Sequence, residues 1–194
     1  MARIAINSNV FPFPMPMVVV GADVGGRPNY LAAAWVTRVN YKPPVIGVAL
    51  GRTHHTSRGI RRHREFGISV PGRRLAAEVD CAGLVSGARV DKSGLFETFR
   101  GKLAHAPMAA GCPVSMECRL VRIVDLGDDE FVIGEIVGAY AEKRCLAGGR
   151  PDVRKVDPFL LTMPDNRYWA VGECVGRAWE IGKGLAERLR RAGK

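Results

Sequence analysis

Side chains suited to binding an anion and a flat ring are concentrated in residues 29–58, NYLAAAWVTRVNYKPPVIGVALGRTHHTSR. Trp35 directly follows three alanines, and the run ends in hydroxyl and guanidinium groups. Guanidinium forks match phosphate oxygens, and an aromatic side chain next to small residues leaves a slot for a planar group. The stretch therefore has the parts to hold a ring at one end and a phosphate at the other.

The residues after Gly51 predict a short helix, with Thr53 as its N-cap and Thr56 at the third helical position. A helix N-terminus presents free N–H groups and a partial positive charge, and both favour an anion. Arg52 and Arg58 lie close by in sequence. An ordinary capped helix with surface arginines explains the same residues, so both interpretations stay open.

The three alanines before Trp35, residues 32–34, leave space beside the backbone. That space fits either a flat ligand or a closely packed neighbouring helix. If residues 30–37 form a strand, Trp35 and Thr37 share one face, because side chains alternate along a strand. Trp35 would then either flank a planar ring or belong to the core.

The common catalytic motifs are missing from this sequence: it has no GxSxG, no P-loop, no GxGxxG after a strand and no HExxH. His54 and His55 are adjacent and point in different directions as a helix begins, so no metal site is predicted. The carboxylates Asp128, Asp129 and Glu130 are typical of a turn tip. No catalytic residue is therefore predicted, and any chemistry would come from a bound cofactor.

The composition favours one folded domain spanning residues 1–194, since 47% of the side chains are hydrophobic. No apolar run approaches the ~20 residues that cross a bilayer, so we expect no membrane association and a cytoplasmic location. The net charge of +10 clusters at 52–64 and 183–194. Solvated helix faces explain these clusters better than nucleic-acid binding, because the charge does not form a stripe with interleaved aromatic residues.

The five cysteines, Cys81, Cys112, Cys118, Cys145 and Cys174, form no CxxC pair. An odd number of scattered cysteines indicates reduced thiols rather than a disulfide framework. Buried small side chains explain them, and a redox-active thiol is the alternative.

Hydrophobic periodicity predicts many short strands and a few short helices, which is typical of a closed or partly open β-barrel. Strands are predicted at 15–21, 30–37, 45–50, 66–70, 113–124, 130–140, 159–163 and 168–171, with a hairpin turn at 126–129. Helices are predicted after Thr53, at 73–82, around 96–103 and, as an amphipathic basic helix, at about 175–194. A glycine-punctuated loop at 83–94 is long enough to be functional.

In combination, these motifs resemble the flavin reductase-like FMN-binding domain family, which includes the flavoredoxins. The resemblance rests on N-x-x-A-A-A-W-x-T, the pair Pro43 and Pro44, R-T-H-x-T, and CAGLVSGARVDK. The last of these is similar to the family's C-G-x-x-S-G-x-x-x-D-K, with Ala82 inserted before the glycine. The hairpin at 113–140 and YWAVGE near the end extend the resemblance over roughly residues 15–175. It implies a mainly β fold with short helices, the FMN-binding split β-barrel.

Carried onto this chain, the resemblance implies a set of cofactor-binding residues. Asn29 and Trp35 would lie beside the ring and ribityl chain of FMN, with Ala33, Ala34 and Thr37 making backbone and hydroxyl contacts. The phosphate would be held by Arg52, Thr53, Thr56, Ser86, Gly87 and Lys92, with Asp91 orienting the lysine. Phe131 and Tyr168 would form aromatic walls.

The resemblance also implies a homodimer and the activity of a flavin reductase or a related oxidoreductase. Such a protein takes electrons from NADH, NADPH or a reduced carrier and passes them to flavin or to a redox partner protein. The alternative is a non-catalytic FMN-binding electron carrier without nicotinamide activity. Hydride transfer to a flavin needs stacking and distance rather than a protein acid or base, which agrees with the missing acid–base pair.

Overall fold

The computed structural model describes residues 1–192, which form a mainly β structure with four short α-helices. The strands are β1 Met15–Pro16, β2 Val18–Val24, β3 Arg27–Ala33, β4 Val36–Asn40, β5 Val45–Gly51, β6 Glu65–Val70, β7 Thr98–Phe99, β8 Met108–Ala109, β9 Val114–Asp125, β10 Asp129–Ala141, β11 Leu146–Ala147, β12 Arg150–Pro151, β13 Phe159–Thr162 and β14 Arg167–Ala170. The helices are α1 His55–His63, α2 Ala76–Leu84, α3 Val153–Val156 and α4 Lys183–Ala192, and two 3-10 turns cover Arg73–Leu75 and Lys143–Cys145.

Seven antiparallel strands form one sheet in the order β3-β2-β6-β9-β10-β5-β4. β3 and β4 lie at its opposite edges, yet only Ala34 and Trp35 separate them along the chain. A link of this length reaches at most about 11 Å, so the sheet must curl until its two edges come close. Within residues 1–192, β3 and β4 do not pair with each other, so the barrel is split along this line. The predicted split β-barrel is confirmed.

The interior of the barrel is filled by aliphatic side chains from β2, β5, β6 and β10, together with Ile60 from α1. Phe66 on β6 is fully buried, and its ring lies directly over the backbone of Gly134 on β10. Burying a side chain of this size contributes about 1.5–3 kcal/mol. The predicted hairpin is also present, since β9 and β10 pair along their length and meet at the turn that contains Gly127.

Helix α1 is held against the barrel by a close approach and by an ion pair to a buried carboxylate. Gly59 packs on the carbonyl oxygen of Asp23 in β2, where a Cβ atom would collide with it. Arg61 pairs with Glu130, a fully buried carboxylate on β10. Removing Arg61, which is itself 44% exposed, would leave the buried Glu130 carboxylate without this partner, which is destabilising. The N-terminus of α1 therefore has a defined position relative to the sheet.

Helix α2 packs on the other side of β3 and closes a second, smaller core. Val79 and Ala82 are fully buried there beside Tyr30 of β3. The small strands β1 and β13 add Met15 and Phe159 to the same cluster. This packing carries the glycine-punctuated loop after α2 back toward β3.

Two of the predicted elements are wrong. The predicted strand 30–37 is two strands, because the chain leaves one edge of the sheet after Ala33 and joins the other edge at Val36. At this bend the Val36 N–H donates to the carbonyl oxygen of Ala34 at 3.0 Å. Residues 96–103, predicted as helical, contain β7 instead, and β7 pairs with β8. The hydroxyl of Thr98 there lies 2.6 Å from that of Tyr30, so a long-range contact fixes the extended form.

The predicted C-terminal helix is shorter than expected and begins only at Lys183. Its predicted first turns are interrupted by Gly176 and Trp179, whose φ angles are 149° and 63°. Residues 193 and 194 of the predicted helix lie outside the described residues. Residues 171–192 are almost entirely exposed. None of the helices in the described part of the chain is both long and apolar enough to span a bilayer.

Three of the five cysteines, Cys112, Cys118 and Cys145, are buried, and all five are free thiols. Burial raises the pKa of Cys112 and of Cys118 to about 12. These two thiols are therefore protonated at neutral pH, and they pack as small apolar groups.

The contact between Phe66 and Gly134 gives a test of the barrel core. We expect Gly134→Ala to lower the free energy of unfolding by roughly 1–3 kcal/mol, because its Cβ would enter the Phe66 ring. Gly94→Ala is the matched control, since nothing lies within 4 Å of a Cβ at that position. Urea unfolding followed by circular dichroism measures both, and equal midpoints would contradict the packing described.

Candidate functional site

Three clefts lie along β3 and the segments next to it. The hydroxyl cleft has a volume of about 270 Å³ and is lined by Leu31, Thr53, His54, His55, Thr56, Ser86, Gly87 and Lys92, together with residues 83–85. The basic cleft, about 400 Å³, is lined by Arg27, Asn29, His55, Arg89, Asp91 and Lys92, with neighbouring residues of β2 and of the loop. The apolar cleft, about 440 Å³, is lined by Phe11, Ala34, Trp35, Thr37, Ala49 and Phe131, with the N-terminal prolines.

The hydroxyl cleft is built on the N-terminus of α1. The N-cap residue is His54 rather than the predicted Thr53, because the His54 N–H donates to the carbonyl oxygen of Gly51 at 3.0 Å and delays the helix by one residue. Thr56 is therefore the second helical residue. No side chain among residues 1–192 caps this helix. Its first N–H groups and partial positive charge thus face the hydroxyl cleft, which suits an anion.

A hydrogen bond from Asn29 links β3 to α1 beside the hydroxyl cleft. Its Nδ2 donates to the Thr56 Oγ1 at 2.7 Å, and both residues are buried. The Thr56 oxygen accepts this bond, so its own O–H stays available to donate to a ligand. Gly87 fits against Asn29 only because it lacks a side chain, as a Cβ there would collide with the Asn29 Oδ1.

The structure sets Asn29 apart from Trp35, the residue with which it was predicted to lie beside the ring and ribityl chain. Asn29 is near the start of β3 and next to Thr56, whereas Trp35 lies beyond the end of β3. The two residues are therefore at opposite ends of the strand and line different clefts.

Lys92 comes to the hydroxyl cleft by crossing the end of α2. Its Nζ donates to the carbonyl oxygens of Ala82 and Val85 at 2.9 and 3.0 Å. Carbonyls at a helix C-terminus lack helical partners and attract a cation. Burial lowers the pKa of Lys92 from its ordinary value. Lys92 therefore fastens the loop to α2 while its positive charge stays at the cleft.

The predicted role of Asp91 in orienting Lys92 is wrong. Asp91 accepts from the Ser93 N–H at 2.9 Å and pairs with Arg27 of β3 at 2.7 Å. The bond from Ser93 is the main cause that holds the Asp91 pKa below its ordinary value, with Arg27 adding to it. Asp91 therefore faces Arg27, while Lys92 faces the end of α2.

Arg52 is also not positioned as predicted for the phosphate. β5 pairs with β10 so that Gly51 lies opposite Asp129, and this register puts Arg52 beside the β9–β10 turn. There its guanidinium pairs with Asp125 at 2.9 Å. Arg52 lines none of the three clefts. Arg58, one turn into α1, is exposed.

The apolar cleft brings together four of the predicted ring-binding residues: Ala34, Trp35, Thr37 and Phe131. The Phe131 ring lies over Gly47 of β5, where any Cβ would collide with it. Trp35 is 41% exposed, and its ring centroid lies 6.1 Å from that of Phe11. Sequence reasoning missed Phe11, although an aromatic in a proline-rich approach segment was a usable signal.

Ala33 and Tyr168 do not line these clefts. The Ala33 side chain points into the barrel core, because side chains alternate along β3. Tyr168 on β14 donates from its hydroxyl to Asp80 of α2 at 2.7 Å. Burial and then Asp80 raise the Tyr168 pKa to about 12. Tyr168 therefore fastens β14 to α2 in this arrangement.

His55 is the main site residue that sequence reasoning missed. It is the first residue of α1, it is partly buried, and it lines both the hydroxyl and the basic cleft. Its position is the variable one in R-T-H-x-T, so the motif itself drew no attention to it. Arg27 and Arg89 of the basic cleft were missed for a similar reason, since neither occupies a fixed position of a motif.

The hydroxyl and apolar clefts are separated along two strands by a consistent interval. On β3, Leu31 lines the hydroxyl cleft, and Ala34, just beyond the end of the strand, lines the apolar cleft. On β5, Ala49 lines the apolar cleft, and Thr53, just beyond the end of the strand, lines the hydroxyl cleft. Three to four residues of chain, at about 3.3 Å each when extended, reach at most roughly 10–13 Å. A ligand with an anionic group and a flat apolar group joined by a short flexible chain would fit this spacing.

Comparison with known proteins gives one matching family model. The flavin reductase like domain model matches residues 10–151. The structure is similar to the crystal structure of flavoredoxin from Methanosarcina acetivorans, with a TM-score of 0.93 and 46% identity over 95% of this chain and 100% of that one. It is also similar to the FMN-binding protein from Thermus thermophilus, with a TM-score of 0.78 and 25% identity over 91% of this chain and 97% of that one. The NADH-dependent FAD reductase of Streptomyces globisporus is 27% identical over 146 residues, which are 72% of this chain and 78% of the relative.

The two bonds from Lys92 give a test of the loop independent of any ligand. We expect Lys92→Met to lower the free energy of unfolding by roughly 1–3 kcal/mol, because one buried and one partly buried carbonyl oxygen lose a charged donor. Lys143→Met, at an exposed lysine, is the control. Thermal unfolding of the ligand-free proteins measures the difference. A Lys92→Met variant as stable as the control would show that the loop is held by other contacts.

Proposed function

Because the chain belongs to the flavin reductase-like domain family, we propose that it is an FMN-binding redox protein. The phosphate occupies the hydroxyl cleft, the isoalloxazine ring occupies the apolar cleft, and the ribityl chain follows β3 and β5 between them. The spacing of the two clefts along both strands is the observation that carries this proposal. The residues of the two clefts also have the right chemistry for the two ends of the cofactor.

The phosphate is bound by N–H groups of the first turn of α1, by Thr53 and Thr56, and by Ser86, Gly87 and Lys92 of the loop. Hydrogen bonds to an ionised group are among the stronger ones in proteins. The Asn29 amide supports this, because its N–H donates to the oxygen of the Thr56 hydroxyl. Thr56 is then left to donate its proton to a phosphate oxygen.

The ring is bound by Ala34, Trp35, Thr37 and Phe131. The small Ala34 and Ala49 leave room for a plane, while Trp35 and Phe131 supply apolar contact on the cleft walls. Bound FMN supplies the redox chemistry by accepting and returning electrons. The protein orients it and surrounds it with donors, and no side chain has to act as an acid or base.

We propose further that the protein is an oxidoreductase that takes electrons from NADH, NADPH or a reduced carrier. The likeness to an NADH-dependent FAD reductase supports the nicotinamide route. The likeness to a flavoredoxin supports a second candidate function, an electron carrier that passes electrons to a redox partner protein. The exposed edge of Trp35 leaves the apolar cleft accessible to either donor.

The proposed assembly is a homodimer in the cytoplasm. Residues 171–192 expose Trp179 and Leu189 almost without contact to the rest of the chain, which is typical of a surface covered by another subunit. The protonated, unpaired thiols Cys112 and Cys118 fit a reducing compartment. Light scattering after gel filtration tests the dimer.

Binding of FMN and of riboflavin tests where the phosphate lies. We expect purified protein to bind FMN with a flavin absorbance spectrum. Thr56→Val should weaken FMN binding by about 1–3 kcal/mol, which is roughly 5- to 150-fold in Kd, because it removes a donor to a charged group. The same variant should leave riboflavin binding unchanged, since riboflavin has no phosphate.

Trp35→Ala is the matched control for this test, because it should weaken both ligands equally through the ring. If Thr56→Val weakened both ligands equally, the phosphate would not be in the hydroxyl cleft. Protein that bound neither flavin would overturn the proposed function.

Anaerobic mixing of the FMN-loaded protein with NADH or NADPH separates the two candidate functions. In a flavin reductase, the nicotinamide should reduce the flavin and remove its absorbance near 450 nm within the time of one turnover. That time is on the order of one second or less for a typical turnover number of 1–10³ s⁻¹. Dithionite is the control that shows the bound flavin to be reducible. A flavin that dithionite reduces but neither nicotinamide reduces would identify an electron carrier.

A further inference from the structure

The imidazole of His55 has a buried nitrogen that the protein leaves without a partner. The Nδ1 atom of His55 is inaccessible to solvent and accepts or donates no hydrogen bond within residues 1–192. Buried polar atoms are nearly always hydrogen-bonded in native proteins. His55 is also the first residue of α1 and lines both the hydroxyl and the basic cleft, so a ligand there would lie against the side chain that carries this nitrogen.

The surroundings of His55 are mainly cationic. Arg58 lies one turn along its own helix, Lys92 and Arg89 come from the loop, and Arg27 comes from β3. The carboxylate in the basic cleft, Asp91, is committed to Arg27 and to the Ser93 N–H. The other residues packed against His55, including Asn29 and Gly87, carry no charge.

These surroundings keep the imidazole neutral in the absence of a ligand. Burial first, and then the charges of Arg58 and Lys92, lower the pKa of His55 from its ordinary value. A phosphomonoester would reverse the balance, because it brings about two negative charges and strong acceptor oxygens. An opposite charge within about 4–6 Å favours the charged form of a titratable group, by about 1–3 pKa units.

We propose that His55 is a ligand of the flavin phosphate and that it takes up one proton from solvent when the phosphate enters the cleft. This rests on the proposed function, since it assumes FMN in that site. The pKa of His55 in the complex then lies above its value in the free protein. The added affinity is fully present below the free value and is lost as the pH rises through the bound value.

The protein would therefore hold phosphorylated flavin more tightly as the pH falls toward 7 and release it as the pH rises. Riboflavin carries no phosphate and would show no such dependence. His54 is a neighbouring imidazole that allows a sharp comparison. It also lines the hydroxyl cleft, but it lies over Gly51 and, unlike His55, already has the carboxylates Asp129 and Glu130 beside Lys92 among its charged neighbours, so the phosphate should change its charge less.

Isothermal titration calorimetry of FMN into flavin-free protein tests the proposal between pH 7.0 and 8.5. In this range free FMN is almost fully dianionic, because the second pKa of a phosphomonoester is about 6. Repeating the titration in buffers of different ionisation enthalpy gives the number of protons taken up. The proteins compared are the natural chain, His55→Gln and His54→Gln, each with FMN and with riboflavin.

We expect the natural chain and His54→Gln to take up about half a proton or more at pH 7. Their FMN affinity should fall by up to about tenfold per pH unit between the free and the bound pKa of His55. His55→Gln should take up almost no proton and bind FMN with an affinity that is nearly independent of pH. Unchanged riboflavin affinity in His55→Gln would show that the variant is folded.

Several results would overturn the proposal. Equal proton uptake by the natural chain and His55→Gln, or loss of uptake in His54→Gln alone, would assign the proton to another group. If His55→Gln failed to fold, nitrogen NMR of the natural chain bound to FMN at pH 7 would answer the same question, because both ring nitrogens of His55 should then carry protons. FMN binding without proton uptake rejects this inference alone, whereas no flavin binding at all rejects the proposed function with it.

Discussion

The closure of the sheet through Ala34 and Trp35 is the constraint on which the rest of the structure depends. These two residues join strands at opposite edges of a seven-stranded sheet, so the sheet has to curl into a split barrel. The same closure brings the end of β3 next to β5 and opens the apolar cleft between Trp35 and Phe131. The barrel and the ring end of the candidate site therefore come from one geometric requirement.

The other end of the site depends on how the loop after α2 is fastened to the barrel. Lys92 bonds to the end of α2, Arg27 bonds to Asp91, and Gly87 fits against Asn29. The surface pair of Arg27 and Asp91 is worth little by itself, whereas the buried contacts of Lys92 and Asn29 are costly to lose. The loop is thus fastened opposite the N-terminus of α1, and a cofactor would meet donors that are already in place.

Ion pairs within the protein decide which cationic side chains are available to bind a ligand. Arg52 and Arg61 are bound by Asp125 and Glu130, and Arg27 is bound by Asp91. What remains in the hydroxyl cleft is a set of amide and hydroxyl donors, one lysine, and the imidazoles of His54 and His55. Amide and hydroxyl donors do not change with pH, so a titratable imidazole among them would be the group that gives phosphate binding a dependence on pH.

The sequence by itself determined the local features: the strand periodicity, the hairpin at residues 126–129, the alanines beside Trp35, and the hydroxyls around the start of α1. Each of these depends on residues close together in the chain, so propensity and spacing were sufficient. Only the tertiary structure decided which side chains meet. Asn29 forms a hydrogen bond with Thr56, which lies 27 residues away in the sequence. Arg27 pairs with Asp91 across 64 residues, and Arg52 pairs with Asp125 across 73 residues. Such partners are selected by strand register and helix packing, which no local pattern encodes, and for that reason His55 became visible as a site residue only in the folded chain.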